Sequence, residues 1–252
     1  AYATGNPTSV VAYCLNGVKF EVGTAGTCTD SGECSAAGNG GQWSMEAAGD
    51  TPFDFGTDES NAHVQPFGAY HYHGIPEGFL DAQGKGEAVT LVGWAVDGFP
   101  IYARYAYSDP YDETSAVTVV TGSYVLKNVP DAGRPSVDVY PLGAFTQDWE
   151  YAEGAGDLDE CNGRFGVTPE FPQGIYHYYL TDSFPFGQRC IKGEAMGGGS
   201  GPGQGGGPGQ GGGPGQGGGG PPACGEAPEG SPCCGDGICG GPESAESCPE
   251  DC

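Results

Sequence analysis

Histidine is rare in this chain, and the few histidines stand in two short aromatic segments. Three of the four lie in NAHVQPFGAYHYHG as His63, His71 and His73, and the fourth, His177, lies in GIYHYYL. Residues two apart on a strand point to the same face of a sheet. His71 and His73 can therefore converge on one ion while the neighbouring tyrosines face the other way.

A cluster of imidazoles suggests a transition-metal site. Imidazole nitrogen binds zinc, copper, iron and nickel, and a histidine set without cysteine or a required carboxylate favours copper or zinc. The sequence therefore predicts one copper or zinc site with His63, His71, His73 and His177 as ligands. The alternative is a set of buried histidines that are hydrogen-bonded to the backbone among tyrosines. Two similar aromatic-flanked motifs that hold all four histidines favour the metal site.

Carboxylates are the second group of candidate ligands. Oxygen donors near turns suit calcium better than a soft metal. The candidates are Asp157, Asp159 and Glu160 before Cys161, and Asp236, Glu243, Glu246, Glu250 and Asp251 near the C-terminus. The alternatives are that the first three accept hydrogen bonds from imidazole N–H groups or face water, and that the others form a solvated acidic loop. EF-hand spacing is absent.

Charge and motifs argue against several classes of function. Thirty-three Asp and Glu against eight Lys and Arg give a net charge of -25, which repels phosphate backbones and anionic lipids, so we expect no nucleic-acid partner. No apolar run approaches the ~20 residues that cross a bilayer, so we expect no membrane insertion. The motifs G-x-S-x-G and H-E-x-x-H are absent, so a metalloenzyme is expected less than a binding protein.

The cysteines indicate an oxidising compartment. The chain has eleven cysteines, and the zinc-type spacing C-x-x-C is absent, so disulfides are the simpler explanation. The sequence also begins Ala1-Tyr2-Ala3 without methionine, as a mature protein would after removal of a signal peptide. We therefore expect a secreted, extracellular protein.

Residues 1–196 carry nearly all the aromatic and β-branched side chains and predict one mainly β domain, an antiparallel sandwich or a barrel-like fold. Asn16-Gly17 between two apolar runs predicts a hairpin with a type I′ turn. Two further strand pairs are expected, one around Asp97-Gly98 and one formed by Ala116–Val120 and Ser123–Val129 across Gly122.

The remaining residues form two different segments. Residues 197–222 are a Gly/Pro/Gln-rich repeat, and residues 223–252 hold six cysteines with little apolar mass, which predicts a small disulfide-rich module. A flexible linker is the usual interpretation of such a repeat. Its all-glycine edge would also allow polyproline-II chains to pack closely. The alternative function is therefore a homo-oligomer or filament, an extracellular fibre or matrix subunit that uses strand edges and the repeat.

Long stretches of residues 43–193 resemble a known family. NAHVQPFGAYHYHGIPEGF, LVGWAVDGFPIYA, LDECNGRFG and FPQGIYHYYLTDSFPF occur in order and are similar to the YHYH domain of secreted, mainly bacterial proteins. The resemblance implies no settled reaction. The segment CCGDGICGGPESAESCPEDC resembles CGDGxC...CPxDC modules of extracellular bacterial proteins, whose acidic side chains look like calcium ligands.

The cysteines of the β domain allow one specific pairing to be predicted. Cys161 and Cys190 bracket the strand of His177, so a disulfide between them would clamp that strand. Cys14, Cys28 and Cys34 allow a local disulfide whose partners the sequence does not identify. One thiol of the five is left over, to remain free, to pair with the C-terminal module or to join two subunits.

Overall fold

The computed structural model describes residues 10–23, 26–36, 40–49, 51–65 and 68–193. The Gly/Pro/Gln-rich repeat and the cysteine-rich module lie outside these ranges. The five C-terminal candidate calcium ligands, Asp236, Glu243, Glu246, Glu250 and Asp251, lie outside them as well.

Within the described ranges the chain is mainly β, as predicted, with fifteen short strands, one α-helix and one 3-10 helix at Thr146–Asp148. The elements are β1 (Ala12–Cys14), β2 (Lys19–Phe20), β3 (Thr27–Cys28), β4 (Cys34–Ser35), β5 (Trp43–Ser44), β6 (Ala62–Val64), β7 (Tyr70–Tyr72), α1 (Glu77–Gln83), β8 (Leu91–Ala95), β9 (Pro100–Ala103), β10 (Tyr105–Tyr107), β11 (Val117–Val119), β12 (Tyr124–Leu126), β13 (Trp149–Tyr151), β14 (Gly163–Gly166) and β15 (Ile175–Leu180). No helix in the described part of the chain is long and apolar enough to cross a membrane.

Eight strands form the main sheet in the order β14-β15-β9-β8-β1-β2-β7-β6. The sheet is open, with β14 and β6 at its edges, so the described chain forms no closed barrel. The pairs β15/β9 and β2/β7 are parallel, which corrects the expectation of a purely antiparallel fold. Parallel strands need a long crossover connection. Both connections are long here, and they contain the strands of the three smaller sheets.

The N-terminal hairpin forms as predicted, with Ala12 opposite Phe20. Its turn is not the predicted type I′, which needs a positive φ at both Asn16 and Gly17. Only Gly17 has a positive φ, of 85°. The Gly17 N–H donates to the Cys14 carbonyl and the Cys14 N–H to the Val18 carbonyl, at 2.8 Å each. This pattern is a three-residue loop with glycine in the left-handed position, which also suits the twist of a hairpin.

The second strand pair is confirmed and the third is wrong. β8 and β9 pair antiparallel around Asp97-Gly98, where Gly98 has a φ of 83°. The strands on either side of Gly122 do not pair with each other, because β11 pairs with β10 and β12 pairs with β13. The chain between them is instead held by Asp157, whose backbone N–H donates to the Thr121 carbonyl and whose carboxylate accepts from the Thr121 N–H.

The core lies on both faces of the main sheet at β9 and β15. Tyr102 and Tyr179 pack in one apolar cluster, whereas Ile101 and Tyr178 pack in another. Since neighbouring residues on a strand point to opposite faces, both faces of these strands are covered. Each fully buried aromatic or aliphatic side chain contributes about 1.5–3 kcal/mol through removal from water. These strands form the rigid centre from which the sheet extends to β7 and β6.

Candidate metal centre

The β6/β7 hairpin places two histidines directly opposite each other. His63 on β6 is the register partner of His71 on β7. Directly opposed residues of an antiparallel pair have Cβ atoms about 4.5–5.5 Å apart. The turn end of the hairpin is closed by the Gln65 N–H, which donates to the Ala69 carbonyl at 2.9 Å. The two imidazoles therefore meet on one face of the sheet.

The third histidine follows from strand alternation. His73 lies one residue beyond β7, and its backbone N–H donates to the Asn61 carbonyl at 2.8 Å, which continues the strand spacing. The rings of His71 and His73 have centroids 4.6 Å apart. The intervening tyrosines lie together as well, with the rings of Tyr70 and Tyr72 5.7 Å apart. The predicted alternation of histidines and tyrosines is thus confirmed.

His63, His71 and His73, the histidine triad, direct their Nε2 atoms at a common point. The Nε2 atom of His63 is 3.1 Å from the Nε2 of His71 and 3.1 Å from the Nε2 of His73. One ligand atom from each ring lies within 4.8 Å of the other two. A tetrahedral ion with bonds of about 2.0–2.1 Å holds its ligand nitrogens roughly 3.3 Å apart. The triad therefore fits a single ion.

Backbone carbonyls orient two of these rings. The Nδ1 of His63 lies 2.5 Å from the Phe55 carbonyl oxygen, and the Nδ1 of His71 lies 3.4 Å from that of Ala69. A carbonyl only accepts, so the ring nitrogen that faces it carries the proton. This tautomer leaves the Nε2 lone pair free for an ion, the arrangement usual for metal-binding histidine.

Burial favours the neutral form of His71 and His73. His71 and His73 are each 2 % exposed. Burial is the main cause that lowers the pKa of His73 to about 3, and the neighbouring imidazoles of His71 and His63 contribute to the same shift. Burial also lowers the pKa of His71, although Glu21 partly opposes this effect. Neutral imidazoles are the form that binds metal, so these two histidines need no deprotonation near neutral pH.

Glu21 is the site residue that sequence analysis missed. Its Oε2 atom lies 3.6 Å from the Nε2 of His71, and the residue is 5 % exposed. Lys19 Nζ lies 2.5 Å from Oε1, and the Gln65 side-chain amide donates to Oε2 at 2.7 Å. Parallel pairing of β2 with β7, with Lys19 opposite His71, brings this carboxylate to the triad. The spacing of Lys19 and Glu21 indicates that both side chains lie on one polar face of a strand. It does not indicate that this strand pairs with β7.

One protein family model matches the part of the chain that contains the triad and Glu21. The family model described as YHYH protein matches residues 2–193. The chain belongs to the YHYH protein family. The match begins well before residue 43, so the YHYH domain also includes the N-terminal hairpin and Glu21. Neither the curated proteins nor the solved structures give a significant match to the chain.

The fourth histidine of the YHYH domain does not join the triad, which corrects the predicted four-histidine site. His177 lies on β15, five strand positions from β7 in the main sheet. Neighbouring strands are about 4.8 Å apart, so this separation is roughly 24 Å. His177 is also absent from the group of ligand atoms that lie within 4.8 Å of one another.

His177 is instead a buried histidine with two hydrogen-bond partners. Its Nδ1 lies 2.9 Å from the Ile175 carbonyl and therefore donates, while its Nε2 accepts from the Tyr179 hydroxyl at 2.9 Å. Burial lowers the pKa of His177 to about 4. Both ring nitrogens are hydrogen-bonded within the protein. The alternative interpretation, a buried histidine that is hydrogen-bonded among tyrosines, therefore applies to His177.

The acidic residues before Cys161 are engaged with the protein itself. Asp157 accepts from the backbone and hydroxyl of Thr121. Asp159 accepts from the backbone N–H groups of Cys161 and Gly163, and Lys192 pairs with both Asp159 and Glu160; their contacts are thus not with imidazoles. The only other group of possible ligands in the described ranges joins Glu160 to Cys161 and Cys190. Calcium binding here stays a prediction.

Two disulfides form within the YHYH domain. Cys161 pairs with Cys190, as predicted, and Cys28 pairs with Cys34, which resolves the open choice among the N-terminal cysteines. Among the described cysteines, Cys14 is the free thiol. Burial raises the pKa of Cys14, so it is a poor nucleophile and metal ligand. The two sulfurs beside Glu160 are likewise not available as thiolates.

Proposed function

We propose that this protein is a secreted metal-binding protein that holds a copper or zinc ion with His63, His71 and His73. The observation that carries the proposal is the approach of three Nε2 atoms, from the buried His71 and His73 and the half-buried His63, with two separations of 3.1 Å from His63. Unprotonated nitrogens at this distance repel each other through their lone pairs. Either a proton or a cation between them relieves this repulsion.

A cation fits the site better than a proton. The pKa of His73 is lowered to about 3, mainly by burial, so a positively charged His73 is unfavourable near neutral pH. One proton also satisfies only one pair of nitrogens, whereas one metal ion accepts all three lone pairs. An ion at the common point therefore resolves the contacts of the whole triad.

The donors favour copper or zinc. Both ions bind neutral imidazole, and divalent copper has the highest affinity of the first-row divalent ions for a given nitrogen site. Two disulfides in the described domain support an oxidising extracellular location. We therefore expect copper where it competes with zinc, and zinc where copper is scarce.

Titration of the metal-free chain tests the proposal. After treatment with a chelator and its removal, Cu²⁺ or Zn²⁺ is added and binding is followed by calorimetry. One equivalent should bind to the wild type, and the double variant His71→Ala, His73→Ala should lose this binding. His177→Ala is the matched control, since it removes an imidazole outside the triad. Equal affinity of the wild type and the double variant would contradict the proposal.

Two further expectations concern residues outside the described ranges. Calcium binding by the C-terminal carboxylates and assembly into a fibre through the glycine-rich repeat remain predictions. Calorimetry with Ca²⁺, and negative-stain microscopy with and without residues 197–252, test them separately from the triad.

A further inference from the structure

Glu21 is a buried carboxylate beside a metal-binding face that the sequence did not connect with it. Only 5 % of the residue is exposed, and its Oε2 lies 3.6 Å from the Nε2 of His71. We propose that Glu21 is the fourth ligand, so that the triad and this carboxylate form a site for a divalent cation. This inference rests on the proposed function.

The separation of the two ligand atoms supports this role. Bonds of about 2.0–2.2 Å from a tetrahedral ion to nitrogen and oxygen place these atoms roughly 3.3–3.5 Å apart. The observed 3.6 Å between Glu21 Oε2 and His71 Nε2 is close to that spacing. Glu21 Oε2 and His71 Nε2 are therefore already separated by nearly the distance expected between two ligand atoms of one ion.

A rotation of the Glu21 carboxylate would complete the set of ligands. Glu21 is not among the residues whose ligand atoms all lie within 4.8 Å of one another, so its carboxylate has to turn from the Gln65 amide toward the other two imidazoles. The Gln65 amide donates to Oε2, the same oxygen that faces His71. Lys19 holds the other oxygen, Oε1. Oε2 is thus the atom free to exchange an amide partner for an ion, and Lys19 favours binding through one oxygen.

Charge favours the same arrangement. The three imidazoles are neutral ligands, so they leave the charge of a divalent ion uncompensated in a buried site, which is costly. A carboxylate offsets half of that charge. A carboxylate donor also favours divalent ions over Cu(I), which prefers thiolate and thioether ligands. The ion that this site is expected to bind is therefore Zn²⁺ or Cu²⁺ rather than Cu⁺.

Affinity measurements on matched variants test the role of Glu21. Glu21→Gln keeps the size of the side chain but removes its charge and one of its two hydrogen-bond acceptors. Glu33→Gln makes the same chemical change at an exposed site. Zn²⁺ affinity, measured by competition with a chelator, should fall at least about ten-fold in Glu21→Gln and stay unchanged in Glu33→Gln. The electron paramagnetic resonance spectrum of bound Cu²⁺ should change only in Glu21→Gln.

The outcomes separate this inference from the proposed function. A wild type that binds neither Zn²⁺ nor Cu²⁺ overturns both. A wild type that binds tightly, together with a Glu21→Gln variant of equal affinity and identical Cu²⁺ spectrum, overturns the role of Glu21 alone.

A crystal structure of the zinc-loaded wild type decides the question even when Glu21→Gln fails to fold. Glu21 Oε2 should lie about 2.0–2.2 Å from the ion. An Oε2 atom that stays on Gln65, with water in the fourth position, would overturn the inference.

Discussion

Lys19 on β2 and His71 on β7 are register partners across a parallel strand pair. This pairing joins the N-terminal hairpin to the hairpin that carries the triad, although the two residues lie far apart in the sequence. It also places Glu21, two residues beyond Lys19, beside the imidazole of His71. An ion held by both the triad and Glu21, as proposed, would connect two hairpins, so metal binding and the stability of this sheet edge should be coupled.

Metal binding should therefore raise the melting temperature of the protein. A ligand that binds only the folded state stabilises it by about 2.7 kcal/mol when the free ligand concentration is about 100 times the dissociation constant. For a domain of this size, that stabilisation corresponds to about 5–10 °C. Scanning calorimetry with Zn²⁺ and with excess chelator measures the difference. The variant His71→Ala, His73→Ala should show no shift, and a shift equal to that of the wild type would assign the stabilisation to another site.

The local part of the site was predictable from the sequence, whereas its long-range part was not. The convergence of His71 and His73 follows from strand alternation. His63 was expected at the same site, although the β6/β7 hairpin that places it opposite His71 was not predicted. Glu21 reaches the triad only through parallel pairing of β2 with β7. No local pattern encodes that pairing, because it depends on a long crossover connection.

The same distinction explains two of the wrong predictions, the role of His177 and the hairpin across Gly122. His177, like His71, stands between two tyrosines in the sequence. This similarity is typical of a buried strand and does not mean that the two histidines lie close together. Gly122 lies between two strands that each pair with a different partner. A glycine between two apolar runs predicts a hairpin only when no third segment competes for the strands. The two strands around Asp97-Gly98 pair with each other, while β1 and β15 occupy their outer edges.

The two disulfides should differ in their contribution to stability. Loop-closure entropy predicts about 3–4 kcal/mol for Cys161–Cys190, whose partners are 29 residues apart, and about 2 kcal/mol for Cys28–Cys34, with a separation of 6. Urea unfolding of the paired Cys→Ala variants measures both. Metal affinity should be retained in the first variant because β15 lies far from the triad. A larger loss of stability on removing Cys28–Cys34 would contradict this ranking.

Gly93 is expected to tolerate no side chain. It lies on β8 opposite Cys14 of β1, and an added Cβ would come within 2.4 Å of the Tyr13 carbonyl oxygen. Gly93→Ala must therefore push two central strands apart, which costs about 1–3 kcal/mol. Gly40→Ala is the control, since nothing lies within 4 Å of its added Cβ. Equal unfolding midpoints in urea for both variants would show that the strands accommodate the methyl group.

The buried His177 should make the metal-free protein less stable in mild acid. Its folded-state pKa of about 4 is lower than the usual 6.5, because burial disfavours the charged ring. Below about pH 6.5 the unfolded chain binds a proton at this residue whereas the folded chain does not, so the free energy of unfolding falls as the pH drops from about 6.5 toward 4. Other buried histidines add to this effect, and His177→Gln isolates the share of His177. Urea unfolding at pH 7.5 and pH 5, with a chelator present, should show a smaller loss for this variant than for the wild type. The same loss in both proteins would mean that His177 takes up its proton without unfolding, in which case burial does not hold the ring in its neutral form.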